Sequence, residues 1–163
     1  VRPFVRDKDA IQSLVLLAEV AAYYRKQGKN LYDGLQELFE KYGYFAEKTT
    51  ALTFDGVEGA QQIKNLMAKL RDEAPAEFAG VKVVCAEDFA TGKKSFADGK
   101  EEKMNLPSSN VLKYILEDGT WIAVRPSGTE PKIKFYIGTQ GDSVENSKAN
   151  VAKFEKAIQA YVD

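Results

Sequence analysis

The sequence predicts an α+β fold, an antiparallel sheet with helices packed on one face, preceded by a helical hairpin. Three observations lead there. Apolar residues recur at helical spacing in four separate segments. Short aromatic and β-branched runs lie between the later ones, and the last run alternates, with Ile133, Phe135 and Ile137 on one face and Lys132, Lys134 and Tyr136 on the other. Asp118-Gly119 separates two further apolar runs, a strong short-range hairpin signal.

In chain order, Ile11, Leu14, Val15, Ala18, Ala21 and Ala22 make the stripe of a first helix, with Asp7 as its expected cap and Gly28 just past its end. A second helix follows Asn30 with Leu31, Leu35, Leu38 and Phe39 on one face and Gly43 as its stop, so residues 1–43 read as a helical hairpin. Tyr44 to Phe54 reads as a strand. Asp55 and Glu58 have capping-box spacing ahead of a third helix, whose buried stripe is Ile63, Leu66, Met67 and Leu70 and which Pro75 ends. Val81 to Ala86 is a second strand, which makes Cys85 an ordinary packed thiol. Gly92 to Asn110 is polar and punctuated by Asp98-Gly99 and Pro107-Ser108-Ser109, so it reads as a long surface loop whose charges, Lys94 included, are solvated. Val111 to Leu116, Thr120 to Val124 and Ile133 to Ile137 form a meander. Asp142 and Glu145 then suggest a second capping box before a last helix with Val151, Phe154, Ile158 and Tyr161 inward.

Composition narrows the chemistry. The 163 residues include one cysteine and no histidine, which excludes thiolate or imidazole metal sites and Ser-His or Cys-His catalysis built from this chain. With 23 basic against 24 acidic residues the net charge is −1, so any anion site must be local, and neither nucleic acid nor a membrane is an expected partner. No apolar run reaches a membrane-spanning length, and the expected location is cytoplasmic. The first residue is Val1, and the chain is read as part of a longer protein.

One connection carries more than a turn needs. Arg125-Pro126-Ser127-Gly128-Thr129-Glu130-Pro131-Lys132 has prolines at both ends, two hydroxyls, a glycine that permits positive φ and close approach, and flanking cations. Successive backbone N–H groups there can form an anion nest, and Arg125 offers a planar fork for phosphate oxygens, with Lys132 or Lys134 adding charge. Composition alone serves a plain hairpin turn equally well, and the Glu130 carboxylate opposes an anion unless it points away. No Gly-x4-Gly-Lys-Ser/Thr pattern is present, so nucleotide hydrolysis has no support.

Arg125 to Pro131, followed by Lys132-Ile133-Lys134-Phe135-Tyr136, resembles the phosphate-binding loop in the fourth domain of the α-D-phosphohexomutases, the family of phosphoglucomutase and phosphomannomutase. Val5 to Ala10 and its helix resemble the close of that family's third domain. The resemblance implies that residues 1–43 are the helical end of the third domain and 44–163 the complete fourth, phosphate-binding domain. It implies substrate-phosphate contacts at Arg125, Ser127, Gly128, Thr129 and Lys134, the last standing where many relatives have arginine. Lys8 matches a lysine near the reacting phosphoryl group in some members, a catalytic role by resemblance, although its position also suits a solvated first-turn residue; Arg6 matches less well. The implied function is binding the non-transferred phosphate of a hexose phosphate during 1-phosphate/6-phosphate interconversion. Magnesium and a sugar bisphosphate activator would serve the full-length enzyme, and N-terminal domains of the same chain would be its partners.

The family's phosphoserine loop, Asp-x-Asp-x-Asp metal loop and Glu-Glu-Ser sugar segment are not among these residues, so this chain by itself is expected to bind no metal and to be inactive. The alternative is a stand-alone anion- or nucleic-acid-binding α+β module without catalysis, using the face of Lys132, Lys134 and Tyr136.

Overall fold

The computed structural model describes residues 8–54, 56 and 58–160 in full, and the backbone of 161 and 162. The chain divides into two compact units, Val1–Gly43 and Tyr44–Asp163. The first holds α1 (Ala10–Arg25) and α2 (Leu31–Tyr42). Its cap is Asp9, whose carboxylate accepts from the Gln12 amide at 3.0 Å. The Asp7 expected for this role lies outside the described residues. α1 closes with Gly28 donating to the Arg25 carbonyl and Lys29 to the Tyr24 carbonyl, the paired bonds of a Schellman motif, and Gly28 takes φ +74° there. Asn30 and Asp33 form a reciprocal capping box at the start of α2. No residue of α1 is buried; Ile11 and Leu14 are 78% and 66% exposed.

The second unit is an open sheet of eight antiparallel strands with α3 (Gly59–Asp72) and α4 (Val144–Val162), an α+β fold as expected. The strands are β1 (Tyr44–Thr53), β2 (Glu77–Phe78), β3 (Val81–Asp88), β4 (Lys93–Phe96), β5 (Glu101–Lys103), β6 (Leu112–Leu116), β7 (Trp121–Pro126) and β8 (Lys132–Gly141). Their order is β1-β8-β7-β6-β3-β4-β5, with β2 beside β3. Alternation decides the faces. Ile133, Phe135 and Ile137 of β8, with Ile122, Val124 and Tyr114, are buried in one cluster with Ile63, Met67 and Leu70 of α3 and Phe154 and Ile158 of α4. Tyr114 is fully buried and donates its hydroxyl to the Leu70 carbonyl at 2.8 Å, tying sheet to helix. Glu155 of α4 accepts from Lys48 Nζ at 2.7 Å and Thr50 Oγ1 at 2.9 Å on β1.

Several elements differ from the sequence reading. The stretch from Gly92 to Asn110 is not a plain loop, because it contains β4 and β5 joined at Asp98-Gly99. Lys94 is not merely solvated; its ammonium lies 3.3 Å from Glu87 and 5.2 Å from the Phe96 ring centroid. β2 pairs with β3 across Ala79 and Gly80, both at positive φ, a hairpin that the sequence pattern hid. α3 starts at Gly59 with Glu58 in the cap position, where it makes no side-chain cap hydrogen bond; Asp55, the other half of the expected capping box, lies outside the described residues. At α4 the cap is Ser143, whose Oγ accepts from the Asn146 amide at 3.1 Å, one residue after the expected Asp142. The side chain of Tyr161, expected inward, lies outside the described residues. A register shift between Val83 and Cys85 brings Cys85 opposite Phe96 and Ile115, where it is buried and burial raises its thiol pKa.

Candidate functional site

β7 and β8 form a hairpin whose register fixes the geometry of the connection between them. Pro126 faces Ile133, and Ser127 donates its amide to the Lys132 carbonyl at 2.8 Å, closing the ladder. The next pair outward along the strands, Arg125 and Lys134, are direct cross-strand partners. Both side chains are exposed and project from the sheet face opposite the helices, because their neighbours Val124, Ile133 and Phe135 occupy the helix-facing core. Among the described residues neither cation forms an ion pair. Directly opposed like charges oppose pairing. Two such cations beside a turn favour an anion between them.

The turn adds donors. Thr129 N–H reaches Ser127 Oγ only at 3.5 Å, and the N–H groups of Gly128 and Glu130 make no hydrogen bond among the described residues. The Pro131 carbonyl accepts from the Phe54 amide at 2.9 Å, pinning the far end of the turn to the end of β1. Gly128 does not use the positive φ expected of it, and a Cβ there would meet nothing within 4 Å. Neither backbone conformation nor packing therefore requires glycine, and the backbone at Gly128 is open to close approach. Glu130, the one carboxylate in the turn, is drawn to Lys132 Nζ at 3.2 Å, so its charge is partly neutralised.

The same turn forms one wall of a cavity of about 440 Å3 on the helix side. α3 contributes Ala60, Ile63, Lys64 and Met67, and Asn110 closes another wall. Asn110 is held by Arg71, whose guanidinium donates to Asn110 Oδ1 and to Asp88 Oδ2, each at 3.0 Å. Burial pushes the Asp88 carboxyl up in pKa, but hydrogen bonds from Thr91, the Ala90 amide and Arg71 outweigh it and hold the group below the usual carboxylate range.

Of the residues expected to form a site, Arg125, Ser127, Gly128, Thr129 and Lys134 come together around one hairpin end. Arg125 and Lys134 do not line the cavity; Ser127, Gly128 and Thr129 do. Lys8 belongs to the other compact unit, exposed just ahead of Asp9, and Arg6 lies outside the described residues. Lys64 and Asn110 were not legible as site residues, since only the packing of α3 and of the chain before β6 against the turn brings them there. For the magnesium that the resemblance implies, the described residues offer no group of three or more His, Cys, Asp or Glu side chains, so the donor set does not fit that ion. No helix among the described residues is long and apolar enough to cross a membrane.

Comparison with known proteins adds an independent line. Residues 58–155 match the family described as phosphoglucomutase/phosphomannomutase, C-terminal domain. Phosphoglucomutase from Staphylococcus haemolyticus is 41% identical over 152 residues, covering 93% of this chain and 28% of that protein. Phosphoglucomutase from Staphylococcus epidermidis is 44% identical over 142 residues, covering 86% of this chain and 26% of its own. The chain thus spans about a quarter of the length of these curated relatives. Among solved structures, the di-domain ARO/CYC StfQ aligns over 98% of this chain and 60% of its own at 11% identity and a TM-score of 0.38, too slight a likeness to bear on the fold.

Proposed function

The chain belongs to the phosphoglucomutase/phosphomannomutase family through its C-terminal domain, and on that footing we propose that the hairpin end binds the phosphate of a hexose phosphate that is not being transferred. The observation that carries this reading is the pairing of Arg125 with Lys134 directly across the hairpin beside unbonded amides at Gly128 and Glu130. Arg125 supplies two parallel donors to one phosphate, Lys134 a point charge, and Ser127, Gly128 and Thr129 hydroxyl and amide donors. Such a set recognises a tetrahedral dianion and ignores the sugar attached to it. That suits a reaction in which either end of the substrate must be held in turn.

In this reading residues 1–43 are the helical end of the preceding domain, which accounts for the exposed apolar residues of α1, and 44–163 are the fourth domain. The nucleophile, the magnesium ligands and the sugar-reading segment belong to other parts of the full-length enzyme, and Lys8 lies near the transferred phosphoryl group. When bound, magnesium would supply charge stabilisation of that group; this chain's residues hold and orient the other phosphate. By itself the chain turns over no glucose 1-phosphate.

Charge-assisted hydrogen bonds contribute about 1.5–3 kcal/mol each, against an association cost of at least about 4 kcal/mol. A balance near −4 kcal/mol corresponds to a dissociation constant on the order of millimolar. Calorimetric titration with glucose 6-phosphate should show that affinity in the native sequence and lose most of it in Arg125→Ala. Equal binding by the two proteins would dismiss the assignment.

A further inference from the structure

The helix-side cavity shares the turn residues Ser127, Gly128 and Thr129 with the proposed phosphate site, but Arg125 and Lys134 do not line it. Its apolar lining includes Ile63, Met67, Pro126 and Pro131. Its volume of about 440 Å3 falls in the range that accepts small molecules. Two polar residues outside the turn, Lys64 and Asn110, also line the cavity. Lys64 is exposed on α3 and forms no ion pair among the described residues. Asn110 accepts from Arg71 at its carbonyl oxygen, and its amide N–H groups make no hydrogen bond among the described residues.

The walls are braced independently of any ligand. Arg71 locks Asn110 to Asp88, and the Phe54 amide locks Pro131. A preformed site of this kind loses little conformational entropy on binding. Glu130 also lines the cavity, and its carboxylate is engaged by Lys132 at 3.2 Å, so the net charge offered to a guest is positive.

We propose that this cavity is a second ligand site, for a small amphipathic carboxylate: a flat apolar body against Ile63, Met67 and the two prolines, with its anion between Lys64 and Asn110. The arrangement matches the usual division of labour in small-molecule pockets, apolar area for affinity and a few convergent polar groups for orientation. It does not depend on Arg125 and Lys134 taking phosphate.

Benzoate is the probe, followed by the methyl signals of Ile63 and Met67 in NMR spectra of the intact chain. Saturable shifts with a low-millimolar midpoint are expected. Lys64→Met, which keeps most of the apolar stem on an exposed helix position, should weaken binding at least five-fold while leaving the remaining spectrum unchanged. Benzyl alcohol, with the same ring and no charge, should bind at least five-fold more weakly, and Arg125→Ala should bind benzoate as the native sequence does. The proposal is overturned if no saturable methyl shift appears, if Lys64→Met or benzyl alcohol binds as well as native sequence with benzoate, or if Arg125→Ala abolishes the shifts. Shifts caused by inorganic phosphate that vanish in Arg125→Ala, while the benzoate shifts at Ile63 and Met67 persist, report separately on the phosphate site.

Discussion

Reversing one charge at the hairpin should strengthen the fold while removing the proposed phosphate binding. Arg125 and Lys134 are direct cross-strand partners, with Cβ atoms about 5 Å apart in such pairs and charged ends splayed to about 6 Å. At a water-like dielectric two like charges at that distance repel by about 0.7 kcal/mol. Screening at 0.1 M salt leaves roughly half of that. Lys134→Glu turns the repulsion into an attraction of similar size, a gain of about 0.7 kcal/mol, and Lys134→Gln removes the repulsion alone for about half the gain. For a unit of this size the first corresponds to a rise of about 2–5 °C in melting temperature.

The assay is urea denaturation of the three proteins at low salt and at 1 M NaCl, with and without phosphate at matched ionic strength. Stability should rank Glu above Gln above Lys at low salt, and the differences should collapse at 1 M, where the screening length is about 3 Å. Phosphate at 20 times a millimolar dissociation constant should stabilise the native sequence by about 1.8 kcal/mol and Lys134→Glu by almost nothing. Lower stability of Lys134→Glu at low salt, or full stabilisation of it by phosphate, would refute the reasoning.

Other expectations follow from packing and charge. Lys94→Ala should cost only about 0.5 kcal/mol of stability, through its partly exposed pair with Glu87 and its contact with Phe96, and leave phosphate affinity unchanged in the same titrations. The Asp88 carboxyl is held below its unfolded pKa, so its contribution to stability is present above about pH 4 and is lost as pH falls through the folded value; Asp88→Asn should flatten the acid limb of a stability-versus-pH curve. A Cβ at Gly138 would lie 2.3 Å from Trp121 ring atoms, so Gly138→Ala should displace the chain's single tryptophan and shift its fluorescence.

Helices and central strands were legible because a single periodicity governs each. The stripe Ile63, Met67, Leu70 and the alternation Ile133, Phe135, Ile137 are the same residues that close the core. β4 and β5 were not legible, since their stability comes from ladder bonds and cross-strand charges such as Lys93 with Glu101 and Lys94 with Glu87, which in sequence resemble a solvated loop. Ala79-Gly80 hid the β2–β3 hairpin because alanine rarely takes the φ of +51° found there. At the candidate site the composition of the turn was visible, whereas the opposition of Arg125 to Lys134 required the register. Lys64 and Asn110 gave no local signal, because their placement is tertiary.

The central claim, that the β7–β8 turn holds a sugar-linked phosphate, is met most directly by an amide-resolved NMR titration of the intact chain with glucose 6-phosphate. The largest saturable shifts should fall at Ser127, Gly128 and Thr129, with Arg125→Ala abolishing them. Absence of any saturable shift at those three amides up to tens of millimolar would contradict the account.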